Sequence, residues 1–137
     1  MGVEENKRSL LSLLKAIEAS DRTAIEALFL PDARWGIPMG APEEVAGTHQ
    51  GAAKIAEMMV GAIGSSFVGS TVDWRPGLIV GEGDVVMLEA NLRATTPEGE
   101  VYDNHYVFVA EFDPQTARIA ELREHVDTSY AARFFTP

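Results

Sequence analysis

The sequence predicts an α+β domain, in which a curved antiparallel sheet wraps over three helices and encloses an apolar pocket. Two observations carry this prediction. Apolar residues recur at helical spacing over much of residues 3–63, whereas residues 67–126 are rich in apolar and polar residues that alternate. Helices that are segregated from a run of antiparallel strands are typical of an α+β domain. Three helices cannot cover the concave side of four long strands completely, so we expect a cone-shaped cavity between the two layers.

Three segments have the periodicity or the caps of helices. The segment Val3–Ala19 is amphipathic, and Asp21 is placed to cap a second, short helix over Arg22–Phe29. A third helix is expected over about Gly51–Ile63, where small and apolar residues are spaced in threes and fours.

Strand signals follow the second and the third of these helical regions. A short strand is expected at Ala33–Ile37, followed by a loop over Pro38–Gly47 because this stretch contains two prolines and two glycines. The last third of the chain reads as a hairpin that turns at Asp113–Thr116. The remaining expected strands are Phe67–Val80, with a bend at Pro76–Gly77, and Val85–Thr95.

Composition narrows the functional classes. A length of 137 residues fits one domain over residues 1–137, and a formal net charge of -10 disfavours binding to nucleic acid or to anionic membranes. No apolar run approaches a membrane span or a signal peptide, so we expect a cytoplasmic protein. The absence of cysteine excludes disulfides, thiolate metal sites and Cys nucleophiles. The three histidines lie far apart in the sequence, so no metal and no cofactor are expected.

The densest group of reactive side chains lies on the final hairpin. Arg123, His125 and Asp127 alternate and therefore share one face of their strand. In one register this row faces the pocket; in the other register, Glu124 and Val126 face the pocket and the row lies on the outer face.

The neighbouring strand has one aromatic and one polar face. The aromatic face is the better lining for a pocket, so Asn104, Tyr106 and Phe108 are expected inside and His105 outside. Trp35 and Met59 suit the same apolar pocket. His49 is expected in a loop near its mouth.

Three stretches together resemble a known superfamily: LFLPDARWGIP at residues 28–38, GTHQGAAKIAEMM at 47–59, and the closing YVFVAEFD and ARIAELREHVDT. They resemble the nuclear transport factor 2-like superfamily, which includes SnoaL-type polyketide cyclases, limonene epoxide hydrolases and ketosteroid isomerases. The resemblance covers essentially the whole chain. It implies a curved sheet over helices, an apolar pocket, and dimerisation through the outer face of the sheet.

Two of these chemistries lack groups that they need in this sequence, although the resemblance keeps the second Asp of the epoxide hydrolases at Asp127. The resemblance places the base of the ketosteroid isomerases at Ile37 and their protonated Asp near Phe108. It places the Arg and the first Asp of the epoxide hydrolases near Ala90 and Leu92. None of these four side chains can transfer a proton.

The cyclase resemblance leaves one acid in place. Asp127 matches the carboxylate near the end of the last strand that removes a proton from carbon next to a carbonyl, and His125 replaces the Tyr common beside it. The resemblance therefore implies proton abstraction, cyclisation or isomerisation of a hydrophobic, polyketide- or terpenoid-like molecule. Asp127 would be the base and His125 would assist it.

A second hypothesis is a non-catalytic ligand-binding or scaffolding module of the same fold that dimerises through the sheet. The outward residues Val107 and Val109 suggest this interface. A filled pocket would favour the module, and an open cavity faced by Asp127 would favour the enzyme.

Overall fold

The computed structural model describes residues 2–135, which form one six-stranded sheet with helices on its concave side. The α+β prediction is confirmed. The helices are α1 (Val3–Glu18), α2 (Arg22–Ala27), α3 (Ala52–Ser66) and α4 (Thr128–Ala131), and a 3-10 turn spans Gly69–Thr71. The strands are β1 (Phe29–Ile37), β2 (Gly47–Gln50), β3 (Asp73–Glu82), β4 (Val85–Thr95), β5 (Val101–Phe112) and β6 (Ile119–Val126).

The sheet has the strand order β2-β1-β6-β5-β4-β3. The long strands β3 to β6 pair antiparallel as predicted, and β1, which lies one strand in from the edge, runs parallel to β6. Burial alternates along β4 and β5, because alternate side chains of a strand point to opposite faces. The buried face of β5 is the aromatic one, and its members include Asn104, Tyr106 and Phe108.

The helices supply the second layer. Leu10, Leu13 and Leu14 of α1 are buried against the concave side of the sheet, where α1 contacts β3 and β4. The carboxylate of Glu18, at the end of α1, accepts a hydrogen bond from the backbone N–H of Trp74 at 2.6 Å. The helix α3 packs on α2 and on β1. Among residues 2–135, no helix combines the length and apolar composition that a transmembrane span requires.

Two boundaries differ from the sequence prediction. The expected second helix ends at Ala27, and β1 begins at Phe29, four residues earlier than expected. Proline within β1 is tolerated because Pro31 falls where the pairing with β6 shifts register, between Phe29 and Arg34.

The short strand β2 was not predicted. Its residues, including His49, were expected in a loop, but Gly47–Gln50 pairs with Arg34–Ile37. Four residues, of which one is glycine and the other three are polar, give no apolar–polar alternation and therefore no strand signal. The bend expected at Pro76–Gly77 is confirmed by a register shift between Pro76 and Ile79.

An irregularity at the start of β6 decides which of its side chains face the helices. Phe112 pairs with Ile119, but Glu111 pairs with Glu121, so one extra residue is accommodated there. Ile119 and Leu122 are consequently both buried, although they lie three residues apart. From Leu122 onward the even-numbered residues face inward, which corresponds to the second of the two registers considered above.

Candidate functional site

A cavity of about 390 Å³ lies between the helices and the concave face of the sheet. Its lining is predominantly apolar, and within residues 2–135 it contains one carboxylate, that of Glu124. The lining is contributed by α1, α3, α4, the loop after β1, and strands β1 and β3 to β6. An open cavity of this kind is typical of small-molecule sites, which are concave, largely apolar and furnished with a few polar groups.

Glu124 lies in the middle of this lining. It stands between Leu122 and Val126 on the inward side of β6 and pairs across the sheet with Phe108 on β5. The indole Nε1 of Trp35 donates a hydrogen bond to its Oε1 at 3.1 Å. The second carboxylate oxygen accepts no hydrogen bond from any residue between 2 and 135, so it is available to a ligand.

The cavity changes the acidity of Glu124. Part of the side chain keeps accessible surface, but that surface faces the cavity and protein surrounds the carboxyl group. Burial disfavours the charged form and raises the pKa of Glu124 from 4.5 to about 7, against the lowering effect of the Trp35 hydrogen bond. A carboxyl group with this pKa exists in both protonation states near neutral pH. It can therefore take up or release a proton there.

A pair of tyrosines forms the second polar feature of the site. The hydroxyl groups of Tyr102 and Tyr106 lie 2.7 Å apart, and Asn104 Nδ2 donates to the Tyr102 hydroxyl at 2.9 Å. Burial raises the pKa of Tyr102 to about 12 and that of Tyr106 well above its ordinary value. Both side chains are consequently neutral phenols that can donate hydrogen bonds.

Four of the five residues expected to contact substrate line the cavity: Trp35, Met59, Tyr106 and Phe108. Asn104 is buried, as expected, but it is not in the lining. Its amide instead joins Tyr102 to the backbone carbonyl of Asp127, at 2.9 and 3.1 Å. Asn104 therefore supports the site from behind.

The two residues expected to be catalytic lie away from the lining. The carboxylate of Asp127 is exposed and accepts a hydrogen bond from the backbone N–H of Tyr130 at 3.1 Å, which caps the N-terminus of α4. Asp is a favoured residue at such a position. His125 is exposed on the outer face, opposite Val107. Catalytic roles for Asp127 and His125 remain predictions, and the cavity brings neither side chain into its lining.

The other histidines have partners outside the cavity. His105 faces outward, as expected, and its two ring nitrogens lie 3.0 Å from Asn91 Oδ1 and 3.1 Å from Glu89 Oε2. His49 Nε2 lies 2.6 Å from the carbonyl oxygen of Val45. In the described part of the chain, no three His, Asp or Glu side chains are grouped so that they could hold a metal ion.

Sequence reasoning did not select Glu124, although a signal was present. Leu122 and Val126 are apolar residues two positions on either side of it, which indicates that all three share the inward face. The signal is masked because Ile119 suggests the opposite alternation, and only the extra residue at the start of β6 reconciles the two.

Comparison with known proteins confirms the resemblance noted in the sequence. Residues 10–122 match the SnoaL-like domain family. A comparison with curated proteins gives no match.

Solved structures share the fold at low sequence identity. An NTF2-like protein of unknown function from Burkholderia pseudomallei is 21% identical over 100% of both chains, with a TM-score of 0.81. Bal32a, from a soil-derived mobile gene cassette, is 23% identical over 96% of this chain and 97% of its own, with a TM-score of 0.79. TerC, co-crystallised with polyporic acid, is 17% identical over 97% of this chain and 99% of its own, with a TM-score of 0.80.

Proposed function

Because the chain belongs to the family of SnoaL-like domains, we propose that it binds a small hydrophobic molecule in the cavity and transfers a proton on it, with Glu124 as the acid–base group. The substrate would be of polyketide or terpenoid type, and the reaction a cyclisation or an isomerisation. No cofactor is required for such a step.

The observation that carries this proposal is a buried carboxyl group, with a pKa of about 7, in an otherwise apolar cavity. A general base works best when its pKa lies near the working pH, because it is then substantially deprotonated and still basic enough to accept a proton. The exposed carboxylate of Asp127 has no comparable enclosure. The role first expected for Asp127 is therefore assigned in this proposal to Glu124.

The proposed step is balanced without a co-reactant. Glu124 takes a proton from a carbon next to a carbonyl group, and the electron pair of that C–H bond moves onto the carbonyl oxygen. In a ring closure, the resulting enolate attacks a second carbonyl carbon of the same molecule, the π electrons of that carbonyl move onto its oxygen, and the alkoxide takes the proton back from Glu124. In an isomerisation, an enolate conjugated with a carbon–carbon double bond receives the proton from Glu124 at the far carbon, which shifts that double bond. The apolar lining limits access of water to the enolate.

The proposed substrate class is consistent with one structural neighbour. TerC was co-crystallised with polyporic acid, and its fold matches nearly all of this chain. That match shows the fold alone, so the ligand class of this protein is inferred from the size and apolar character of its own cavity.

Exchange of carbon-bound hydrogen for deuterium tests the proposed step. In D₂O, we expect the protein to accelerate exchange at the activated CH₂ of 2-tetralone, followed by ¹H NMR. The rate should rise with pH through about 7, as Glu124 loses its proton. E124Q should lower the protein-dependent rate by about 100-fold or more, since acid–base groups contribute roughly 10²–10⁴-fold.

The matched control is D127N, which removes an acid three residues away outside the cavity. We expect D127N to retain the exchange rate. If D127N loses the exchange activity and E124Q keeps it, Asp127 rather than Glu124 is the base. Binding of 2-tetralone without any exchange would favour a non-catalytic binding module.

We also propose that the chain dimerises through the convex face of the sheet, defined here as the face turned away from the helices. Val80 pairs with Met87, and Met87 pairs with Val109, so an apolar row crosses three strands on this face. Val80 and Met87 remain 46% and 44% exposed. A contiguous exposed apolar row of this kind suits a protein interface.

Sedimentation velocity tests the dimer. We expect a dimer for the unchanged chain and a monomer for M87D, because the new charge would be buried without a partner in the interface. The control A53D places the same charge on the exposed side of α3 and should leave the dimer intact. A dimer that survives M87D, or a monomeric unchanged chain, would contradict this interface.

A further inference from the structure

The orientation of the Asn104 amide is fixed by three neighbours. Its Nδ2 lies 3.1 Å from the backbone carbonyl oxygen of Asp127, which can only accept a hydrogen bond. Its Oδ1 accepts from the backbone N–H of His105 at 3.0 Å, and that group can only donate. Exchanging the amide nitrogen and oxygen would therefore break both contacts. The NH₂ group of Asn104 must also be what meets the Tyr102 hydroxyl, at 2.9 Å.

This orientation determines where the Tyr102 proton goes. Tyr102 is 0% exposed, and within residues 2–135 its hydroxyl contacts only Asn104 Nδ2 and the Tyr106 hydroxyl. Asn104 is a donor in this contact, so it cannot receive the proton of Tyr102. If Tyr106 donated to Tyr102, the proton left without an acceptor would be that of Tyr102, which is fully buried and lies outside the cavity lining, at a cost of about 1–3 kcal/mol. In the opposite direction, the proton without a protein acceptor belongs to Tyr106, which lines the cavity, where a water molecule or a ligand can accept it. Tyr102 therefore donates to Tyr106.

The direction of this hydrogen bond determines what the hydroxyl group of Tyr106, which lines the cavity, can do. Its hydroxyl oxygen accepts from Tyr102, and no residue between 2 and 135 offers an acceptor to its own proton. A second lining residue, Trp74, likewise has a buried indole N–H without a partner in this part of the chain. Tyr106 and Trp74 are thus lining residues whose side-chain donors lack an acceptor within residues 2–135.

We infer that Tyr106 presents its hydroxyl proton to the cavity and selects ligands that carry a neutral oxygen acceptor, above all a carbonyl group. Asn104 and Tyr102 are positioning residues in this arrangement, because they set the direction of the Tyr106 hydroxyl without touching the ligand. Donation from Tyr102 also polarises the Tyr106 hydroxyl and makes it a stronger donor.

This selectivity for a carbonyl group extends the proposed function. Only the catalytic part of the inference, stabilisation of the developing charge, rests on that proposed function. If Glu124 removes a proton next to the bound carbonyl, negative charge develops on the oxygen that Tyr106 contacts. A donor that is oriented before the reaction stabilises such charge without reorganisation. Recognition of the carbonyl itself needs no turnover, so it can be measured separately.

The test compares two probes of nearly identical shape, 2-acetylnaphthalene and 2-isopropenylnaphthalene, which differ by a carbonyl oxygen in place of a CH₂ group. Binding is measured by calorimetry at pH 8, where Glu124 is mostly ionised and accepts rather than donates. We expect Y106F to weaken binding of the ketone by about 3- to 10-fold, the value of one net hydrogen bond, and to leave the hydrocarbon unchanged.

Y102F distinguishes the two possible directions of the chain. With Tyr102 as donor to Tyr106, removal of its hydroxyl leaves Tyr106 a weaker donor, and ketone binding falls by about 2-fold. With Tyr106 as donor to Tyr102, the same change would release the Tyr106 proton for the ligand, and ketone binding would strengthen. Stronger ketone binding by Y102F therefore overturns the inferred direction.

An infrared measurement on the unchanged protein avoids any dependence on variants that fold poorly. The ¹³C-labelled carbonyl of bound 2-acetylnaphthalene should absorb at lower frequency than in hexane, and Y106F should return it toward the hexane value. Equal effects of Y106F on both probes, an unshifted carbonyl band, or no binding of the ketone would overturn the inference. If ketone selectivity holds but deuterium exchange is absent, the proposed catalysis fails and the recognition stands; the reverse outcome rejects only the recognition.

Discussion

Two glutamates on β6, three residues apart, experience opposite environments on the two faces of the sheet. On the convex face, Glu121 accepts hydrogen bonds from Arg123 Nη1 at 2.8 Å and Arg34 Nη2 at 2.9 Å. These contacts hold the pKa of Glu121 below its ordinary value, with the Arg123 bond as the larger cause. On the concave face, burial raises the pKa of Glu124 to about 7.

Two carboxyl groups on the same strand can therefore differ in pKa, because each pKa depends on the face of the sheet on which the side chain lies. Arg123 also contacts Glu111, so the convex face balances its carboxylates with arginine. The lining of the cavity contains no Lys or Arg among residues 2–135, and an indole N–H is the single donor to Glu124 there. The same residue type is therefore an ion-paired carboxylate on one face, whereas on the other it is a buried carboxyl group to which we assign proton transfer only as a proposal.

The largest expected effect is the loss of stability when a buried apolar side chain is shortened, compared with an exposed one. Leu88 is 0% exposed on the concave side of β4, and its neighbour Met87 is 44% exposed on the convex side. L88A should lower the free energy of unfolding by about 3 kcal/mol, because a cavity replaces buried methyl groups. M87A should lower it by less than about 0.5 kcal/mol. Urea denaturation at low protein concentration measures both, and equal losses would refute the assignment of faces.

An intermediate effect is expected from neutralising Glu124. The folded-state pKa of Glu124 lies above the unfolded value, so its neutral form contributes stability that is present below pH 4.5 and lost as pH rises through about 7. E124Q imitates the neutral form. At pH 8 it should raise the free energy of unfolding by on the order of 2 kcal/mol, and at pH 4 it should have little effect.

Urea denaturation of E124Q at the two pH values measures this difference. If the difference in stability between E124Q and the unchanged chain is the same at both pH values, Glu124 is not held in a desolvating environment.

The smallest effect is expected for Glu121. Its folded-state pKa is lowered, so the ionised form contributes stability above the unfolded pKa, and this is lost as pH falls through the lowered value. Arg34 and Glu121 are 57% and 25% exposed, and exposed pairs are screened by solvent. E121Q should therefore cost less than about 1 kcal/mol at pH 7, and less again in 1 M salt. A loss of unfolding free energy in E121Q that is larger than the loss in L88A would contradict the expected ranking.

Much of the fold follows from local patterns. Periodicity alone indicates α1, α3 and the long strands β4 and β5, because each places enough apolar residues on one face to be recognised. The inward positions of Tyr106 and Phe108 follow from the same alternation. The strand β2 could not be predicted, because four residues pair with β1 without an alternating pattern of their own.

What the sequence determined by itself is the α+β class, the family, and the aromatic face of β5. The tertiary structure alone decided that Glu124, rather than the row of Arg123, His125 and Asp127, faces the cavity. The reason is physical. One extra residue near Ala120 reverses the alternation of β6, and its place is fixed by the pairing of β6 with β5 across the hairpin rather than by the side-chain pattern of β6 itself.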